Sequence, residues 1–550
     1  MKTPAILLLC LTSLGWAQGG RGPVNRDAPV TNVPFERILN ANKEPQNWLT
    51  YSGNAMSQRH SGLTQITPEN AKDLTLKWVF QVRSLEKHEV TPLVVDGVMY
   101  TVQFNDVIAL DAATGKTIWQ YLYKPDPAAR NCCGQETRGL AILGDKLFLA
   151  ALDTNVIAIN AKTGKELWKT QAADPKQRYS MTHAPIVIKD KVIAGVAGGE
   201  SGIRGFIAAW DVNTGKEVWR FYTVPGPGEP GHETWTDKDG KPNDSWQHGG
   251  APIWATGSYD PDTNLTYWGT GNAGPDWDGD ARLGDNLYSS SVIALDADTG
   301  KLKWYYQFSP HNEFDWDATQ IPVLVDMPWQ GTPRKVMLWA NRNGMFYVLD
   351  RTSGQFLLGK PFTKVNWATG FDERGRPIRA PGIVPTKEGT LVYPGNQGGT
   401  NWYSPSYSPH TGMFYIPTWQ NSSSTYVKGE EPPEFHEGQN FSGLFPKAGA
   451  TGDDVYSAIQ AVDPQTGNKK WEFRLSAPST EAGVLTTASD VLFSGGRDGQ
   501  FYALNARDGK LLWETNLGPS VSAGAMSYMV NGKQFVSVQA GGALYTFGLR

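Results

Sequence analysis

The sequence predicts an all-β fold, an eight-bladed β-propeller whose blades are docked together by recurring tryptophans. Three features support this prediction: a motif that recurs along the chain, 60 glycines and 36 prolines that provide many turns, and 21 tryptophans in 550 residues. Closed all-β folds often run well beyond the usual domain length. We therefore expect one large propeller rather than several small domains.

The recurring motif is clearest at residues 109–119, which read Ala-Leu-Asp-Ala-Ala-Thr-Gly-Lys-Thr-Ile-Trp. In this motif an apolar strand ends at Asp, whose side chain favours a turn. Gly then takes a positive φ without steric cost, and a second strand follows that ends in Trp. A copy at 348–354 lacks the tryptophan, and residues 74–78 indicate a further unit. The other full copies lie at 158–168, 209–219, 294–304, 461–471 and 503–513.

Each copy predicts a β-hairpin, and short strands precede most copies, so a unit of about four strands returns at roughly fifty-residue intervals, as in propeller blades. A tryptophan at the same place in each unit is best explained by packing against the next blade. We expect the last strand, 543–547, to close the ring with an N-terminal strand. We expect long loops at 222–250, 360–400 and 420–455, all lying on one face of the propeller.

The N-terminus has the pattern of a secretory signal. Lys2 precedes an apolar run at 5–14, and Gly-Trp-Ala at 15–17 fits a cleavage site. The apolar run is too short to cross a bilayer, so we expect an exported, periplasmic protein with no membrane span. The predicted organisation is a signal peptide at 1–17, an N-terminal arm at 18–45 and a single propeller domain at 46–550.

Charge and cysteine content narrow the function classes. The 50 basic and 54 acidic side chains nearly balance, so the charge content gives no excess of basic residues of the kind that binds nucleic acid. After the signal is removed, Cys132 and Cys133 are the remaining cysteines, and in an oxidising compartment they either pair with each other or stay as two buried thiols. No Cys-x-x-Cys-His motif is present, so no c-type haem attaches to this sequence.

Four oxygen-bearing side chains fall on segments between the repeat motifs: Glu200, Asn272, Asp315 and Asp317. Oxygen ligands suit a hard cation rather than zinc or copper. Asp315 and Asp317 would point the same way if they lie on an extended strand. The alternative is a solvated acidic rim, which the spacing alone favours.

Taken together, the residues resemble the family of alcohol dehydrogenases that use pyrroloquinoline quinone (PQQ), of the methanol and ethanol dehydrogenase type. The resemblance runs from about residue 48 to the C-terminus. Its most specific element is Cys132-Cys133-Gly-Gln-Glu-Thr-Arg138-Gly139, which is similar to the family's adjacent-cysteine loop. The resemblance implies a Cys132–Cys133 disulfide against one face of PQQ, and an Arg138 that bonds a PQQ carboxylate.

The resemblance also implies further cofactor contacts, position by position. Trp254 matches the indole that stacks on the opposite PQQ face, and Arg342 matches the basic residue that reaches the reactive quinone oxygens. The remaining implied contacts are Glu89, Thr182, Ala197, Gly198, Gly199, Asn401 and Trp402.

For the metal, the resemblance implies one ion held by Glu200, Asn272, Asp315 and Asp317. Asp315 falls where the family has its catalytic base, and Arg342 would stabilise developing negative charge. Asp317 stands where lanthanide-using members carry an aspartate, and a third carboxylate suits a trivalent ion. A lanthanide is therefore favoured, with Ca²⁺ as the alternative. The implied reaction passes the alcohol's hydroxyl proton to Asp315 and its hydride to PQQ.

The implied partners are a small alcohol and a separate electron acceptor, a cytochrome c; the oligomeric state is left open, with a homodimer among the options. The chain departs from the methanol enzymes of the family at Glu481 and at 541–543, where they carry tryptophans, so methanol is not assumed. Two alternative functions stay open. One is a non-enzymatic propeller scaffold, and the other is a PQQ dehydrogenase for a sugar or polymeric alcohol.

Overall fold

The computed structural model describes residues 26–29, 32–83, 88–131, 133–134, 136–449 and 454–550. The predicted signal peptide, 1–17, lies outside the described residues, as does Cys132. Helical structure in the described residues is limited to one short α-helix, Phe35–Leu39, and to 3₁₀ turns at Ala41–Lys43, Ala71–Asp73, Pro175–Gln177, Gly199–Ser201, His232–Thr234 and Asp244–His248.

The rest of the regular structure is β-sheet, as predicted. Across the described ranges, the strands form seven four-stranded sheets and one five-stranded sheet, all but one of whose pairings are antiparallel. In five of the four-stranded sheets all neighbouring strands are consecutive in the chain, so each of these sheets is a local meander. The other three sheets also contain a pairing between strands that are not consecutive. Sheet by sheet, the strands are Leu93–Val95, Val98–Gln103, Asp106–Asp111 and Thr117–Tyr121; Ala141–Leu143, Lys146–Ala150, Asn155–Asn160 and Glu166–Gln171; Ile186–Ile188, Lys191–Gly195, Phe206–Asp211 and Glu217–Tyr222; Ser258–Asp260, Leu265–Gly269, Ser291–Asp296 and Leu302–Gln307; Val323–Trp329, Thr332–Ala340, Met345–Asp350 and Phe356–Pro361; Ser406–Ser408, Met413–Gln420, Tyr456–Val462 and Lys469–Arg474; His60–Ser61, Leu485–Thr487, Val491–Gly495, Gln500–Asn505 and Leu511–Asn516; and Leu74–Gln81, Met526–Val530, Lys533–Ala540 and Ala543–Leu549.

The two ends of the chain meet in the last of these sheets. The strand Leu74–Gln81 pairs antiparallel with Ala543–Leu549, in a register that runs from Leu74 opposite Leu549 to Gln81 opposite Ala543. The predicted pairing of N-terminal and C-terminal strands is therefore confirmed. It ties the first long strand of the chain to the last one and removes two free sheet edges.

Six of the recurring tryptophans pack against the turn glycine of the following copy, which agrees with the predicted packing between successive units. Gly164 has φ +70°, and a Cβ built on it would stand 2.6 Å from the Trp119 ring, so only glycine fits both the turn and the indole. The Trp119 indole N–H also donates to the Ala161 carbonyl at 3.1 Å. The same ring-on-glycine contact recurs for Trp78 on Gly115, Trp168 on Gly215, Trp219 on Gly300, Trp304 on Gly354 and Trp471 on Gly509.

The N-terminal arm is more deeply packed than the expected surface arm. Val33 and Ile38 are buried, and Val33 forms a β-bridge with Gly144. Arg37 anchors the arm through ion pairs with Glu44 at 2.7 Å and Asp96 at 2.9 Å. The segment is rich in Pro, Gly and Asn and was expected to be a surface arm, but its few apolar side chains are enough to attach it to the neighbouring sheets.

The predicted long loops contain small sheets of their own. A two-stranded sheet joins Ala368–Phe371 to Pro377–Arg379, and a three-stranded sheet joins Thr390–Val392, Ser424–Tyr426 and Lys447–Ala448. A search of the described residues finds no helix with the length and apolar character needed to cross a bilayer.

Candidate active site

A cavity of about 910 Å³ collects almost all of the predicted site residues. Its walls come from the segments that precede the first strand of a sheet and from the turns between second and third strands. In an antiparallel meander these two positions lie at the same end, so several sheets contribute to one site. The predicted residues in the lining are Glu89, Cys133, Arg138, Thr182, Ala197, Gly198, Glu200, Trp254, Asn272, Asp315, Asp317, Arg342, Asn401 and Trp402.

Gly199 is the one described member of the predicted set that does not line the cavity. It packs behind the wall, where an added Cβ would stand 2.8 Å from the Pro252 ring. Its neighbour Gly198 has φ +114°, and a Cβ there would stand 2.3 Å from the Arg178 carbonyl oxygen. The two glycines therefore let the backbone itself form this part of the wall and place Glu200 at its edge.

Arg138 forms a cationic end of the cavity. Its guanidinium pairs with Glu89 at 2.5 Å and donates to the Thr182 hydroxyl at 3.0 Å. It lies 5.0 Å from the Trp254 ring centre and 4.8 Å from the Trp402 ring centre. Ion pairing and two indoles hold the buried cation in place, and a guanidinium is well suited to bind a carboxylate.

Asp315 and Asp317 form an acidic end together with Arg342. The guanidinium contacts Asp315 at 3.0 Å and Asp317 at 2.6 Å. The expectation that these aspartates lie on an extended strand is wrong: they stand in the connection between Leu302–Gln307 and Val323–Trp329, and Asp315 has φ +57°. Their side chains meet because both bind Arg342, not because a strand alternates its faces.

Asp317 points into the protein rather than towards solvent. The Asn272 backbone N–H donates to one of its carboxylate oxygens at 2.7 Å, and Arg342 donates to the other. The Trp254 side chain lies near the same carboxylate and opposes the rise of its pKa. The alternative of a solvated acidic rim therefore does not describe this residue, which is 5% exposed.

Trp254 thus connects the two ends of the cavity. Its ring lies beside the Arg138 guanidinium, and its side chain is also near Asp317, with which it lines the cavity. The cavity consequently has a flat aromatic wall with a cation at one end and carboxylates at the other. This arrangement suits a flat, anionic aromatic molecule that contacts a cation at its far side.

Sequence reasoning missed one carboxylate, Asp276, which lines the cavity and is 4% exposed. Burial raises its pKa well above the ordinary range, and the nearby carboxylates of Asp315 and Glu200 raise it further. A carboxylate four residues after the predicted ligand Asn272 was the available sequence signal. Nothing local distinguishes it from the exposed acidic residues of other loops.

The same forces act on the two predicted aspartates. Burial raises the pKa of Asp315 to about 7, although the Arg342 guanidinium opposes the shift. Burial also raises the pKa of Asp317, again against Arg342. Asp315 and Asp317 therefore share one guanidinium, and Asp276 and Glu200 line the same cavity, so a bound cation would offset this concentration of carboxylates.

The structure does not gather these carboxylates around one point. Within the described ranges, no group of three His, Cys, Asp or Glu side chains has the arrangement of a metal-ion site. Asp315 and Asp317 instead contact Arg342. The predicted ligand set is brought into one cavity, but its assignment as a metal site stays a prediction.

The pairing of the adjacent cysteines also stays a prediction, because Cys132 lies outside the described residues; Cys133 lines the cavity. We expect titration of the denatured, unreduced mature protein to find almost no free thiol, since export favours oxidation. The reduced protein serves as the control and should release two thiols per mature chain. Two free thiols without reduction would contradict the predicted disulfide.

The family model described as PQQ, "Glucose/ethanol/alcohol dehydrogenase, beta-propeller domain", matches residues 48–366, more than half of the chain. The chain belongs to the PQQ-dependent alcohol dehydrogenases. A second model, described as outer membrane protein assembly factor BamB, matches only residues 456–548, a stretch of repeat copies. Membership in the dehydrogenase family thus rests on the part of the chain that builds most of the cavity.

Relatives within the family cover most of the chain. "Quinohemoprotein alcohol dehydrogenase ADH IIB" of Pseudomonas putida is 40% identical over 90% of this chain and 73% of its own length. "Lanthanide-dependent methanol dehydrogenase" of Methylacidiphilum fumariolicum is 35% identical over 92% of this chain and 86% of its own length. A solved "Europium-containing methanol dehydrogenase" superposes with a TM-score of 0.87 at 33% identity, covering 94% of this chain and 100% of that one.

Proposed function

We propose that this chain is a periplasmic quinoprotein that oxidises an alcohol to its aldehyde, with PQQ and one metal ion held in the cavity. The observation that carries the proposal is Trp254, a flat wall between the Arg138 end and the Asp317 end. Family membership supports PQQ as the occupant. PQQ is itself a flat aromatic ring system with carboxylates.

The residues at the cationic end fit the carboxylates of PQQ. Arg138 and Thr182 already share a hydrogen bond, so both present their polar atoms to the same region of the cavity. Trp254 would cover one ring face, and the predicted Cys132–Cys133 disulfide would cover the other. Asn401 and Trp402 line the wall beside Arg138 and complete the enclosure.

The residues at the acidic end fit a hard cation. Glu200, Asn272, Asp315 and Asp317 all line this cavity and would supply oxygen ligands. Three carboxylates match a trivalent charge, so we favour a lanthanide, with Ca²⁺ as the alternative. The "Lanthanide-dependent methanol dehydrogenase" relative supports this preference.

Asp315 is proposed as the base that accepts the proton of the alcohol hydroxyl. Burial favours its neutral form and the Arg342 guanidinium favours its charged form, which gives it a pKa of about 7. A carboxylate so balanced both takes up and releases a proton readily near neutral pH. Bound in the cavity, PQQ supplies the two-electron acceptor for the alcohol's hydride, and the ion supplies Lewis-acid polarisation. Arg342 places positive charge where negative charge develops.

The finer features of the fold belong to the same proposal. We infer that the eight sheets of four or five strands are the eight blades of a propeller. The predicted signal sequence at 1–17 supports export to the periplasm. A separate cytochrome c is the proposed electron acceptor, and the oligomeric state stays open.

Substrate choice is proposed to depend on the cavity mouth. Glu481 lines the cavity 3.8 Å from Arg497. The exposed Leu444 and Phe445 also line it, and the Phe445 ring packs against Trp277. This mixed lining leaves open alcohols larger than methanol, including sugar or polymeric alcohols. A panel of alcohols assayed with an artificial electron acceptor separates these substrates.

The test of the function is reconstitution of the purified full-length mature protein. We expect dye reduction that requires an alcohol, PQQ and either La³⁺ or Ca²⁺ together. Omission of each component in turn is the control. Failure of the protein to retain PQQ would contradict the proposal, whatever the activity measured.

The proposed separate electron carrier has its own test. Because the sequence has no c-type haem motif, we expect the absorption spectrum of the pure holoprotein to lack a haem Soret band. Electron transfer to added cytochrome c is then measured as reduction of that cytochrome under alcohol. A Soret band from the isolated chain would contradict this prediction.

A further inference from the structure

Asp276 is a buried carboxylate of the cavity that the proposed reaction does not use. It lies in the connection between the strands Leu265–Gly269 and Ser291–Asp296, which also carries Asn272. Both residues line the cavity and are at least nine-tenths buried. A buried carboxylate is costly unless it is paired or coordinates a cation, so its position calls for an explanation.

The hydrogen bonds of Asp276 account for only one of its two carboxylate oxygens. Asn272 Nδ2 donates to Oδ1 at 2.9 Å. In the described part of the chain, Oδ2 has no hydrogen-bond donor, and Asp276 has no ion-pair partner. The charge of Asp276 acts on nearby Arg282. The Arg282 guanidinium, however, donates to the Pro275 carbonyl at 2.7 Å and to the Asn312 carbonyl at 2.8 Å. The second oxygen therefore remains available in the cavity.

The Asp276 contact also orients the amide of Asn272. Asn272 Nδ2 donates to both Asp276 Oδ1 and the Ala273 carbonyl, at 2.9 and 3.1 Å. With both acceptors on the nitrogen side, the amide oxygen is directed away from them, and its rotation is restrained. An amide fixed in this way presents its oxygen, the only atom of the group that ligates a hard cation.

We propose that Asp276 selects a trivalent ion at this site, by adding a fourth carboxylate to Glu200, Asp315 and Asp317 and by fixing the oxygen of Asn272. This inference rests on the proposed metal-dependent function. All four carboxylates line the same cavity, so each contributes to the same local potential. Attraction grows in proportion to the charge of the ion, so the added carboxylate favours La³⁺ over Ca²⁺.

Substitutions separate the two contributions of Asp276. Asp276→Asn removes the charge but keeps an oxygen that accepts from Asn272 Nδ2, whereas Asp276→Ala removes both. Asp278→Asn is the matched control, because Asp278 lines the same cavity and is equally buried. Unlike Asp276, Asp278 accepts a hydrogen bond from the Asp280 backbone N–H, and the positive charge of Lys428 lowers its pKa against the effect of burial. Melting temperatures of the metal-free proteins identify any variant that fails to fold.

The readout is metal affinity of the PQQ-loaded full-length mature protein. Tb³⁺ is titrated while its tryptophan-sensitised luminescence is recorded, and La³⁺ and Ca²⁺ are then added as competitors. If Asp276→Asn lowers the affinity for Ca²⁺ about tenfold, it should lower the affinity for La³⁺ about thirtyfold, because the logarithm of the fold-change in affinity is proportional to the charge of the ion. Asp276→Ala should weaken both ions by a further common factor, and Asp278→Asn should leave the ratio unchanged.

Several outcomes would overturn the inference. If the La³⁺-to-Ca²⁺ affinity ratio is unchanged in Asp276→Asn, Asp276 does not select the ion. If the ratio shifts equally in Asp278→Asn, the selectivity comes from the total charge of the cavity and not from Asp276 in particular. If Asp276→Ala does not fold, Asp276→Asn alone decides. Wild type that binds neither ion would instead overturn the proposed metal-dependent function, which separates the two failures.

Discussion

Asp315→Asn should lower kcat by about 10²- to 10⁴-fold while PQQ remains bound. The amide cannot accept the hydroxyl proton, but it has nearly the same shape and keeps an oxygen for the Arg342 guanidinium, which contacts Asp315 at 3.0 Å. The cofactor contacts at Arg138 and Thr182 are untouched. kcat is measured at saturating alcohol, with PQQ content from absorbance and metal content from mass spectrometry of the same sample.

The matched control for this prediction is Asp278→Asn, a buried carboxylate of the same cavity that accepts from the backbone of its own loop. It should retain kcat within a few-fold. Excess metal is supplied to both variants, so that a weakened ligand is not mistaken for a missing base. A variant Asp315→Asn that holds PQQ and metal yet keeps nearly normal kcat would show that another group accepts the proton.

Asp317→Ala should abolish or reverse a wild-type preference for La³⁺ over Ca²⁺. Removal of the carboxylate takes one of three predicted negative ligands from a trivalent ion, which loses more than a divalent ion does. The residue is placed to act in this way, since it lies in the cavity and is held by the Asn272 backbone and by Arg342. Apo-protein is reconstituted with PQQ and either ion, and activity is measured for each.

Asp317→Asn provides the shape control, because it keeps an acceptor for the Asn272 backbone N–H. If the charge selects the ion, the Asn and Ala variants should both lose the La³⁺ preference. If only the fold of the loop matters, Asn should behave as wild type does. Equal wild-type activity with both ions, unchanged in Asp317→Ala, would show that Asp317 does not select the metal.

The contrast between Trp119 and Asp315 shows what sequence patterns carry. The motif that ends at Trp119 is only eleven residues long, so its turn glycine and its tryptophan can be recognised without knowing where the next sheet lies. The structure confirms the resulting ring-on-glycine packing. The spacing of Asp315 and Asp317 fits an extended strand equally well, but the φ of +57° at Asp315 places it in an irregular connection. Local patterns do not reveal such conformations, because tertiary contacts stabilise them.

The sequence by itself determined the strand-and-turn repeat, the closure of the chain ends and, through resemblance, a set of candidate residues of which all but one of the described members line the cavity. These depend on short-range propensity and on residue identity. Only the tertiary structure placed Arg138 between Trp254 and Trp402, paired Arg342 with two aspartates, and put Asp276 among the other carboxylates. The physical reason is distance along the chain: Arg138 and Trp254 are 116 residues apart, and their separation in space depends on how the intervening sheets pack together.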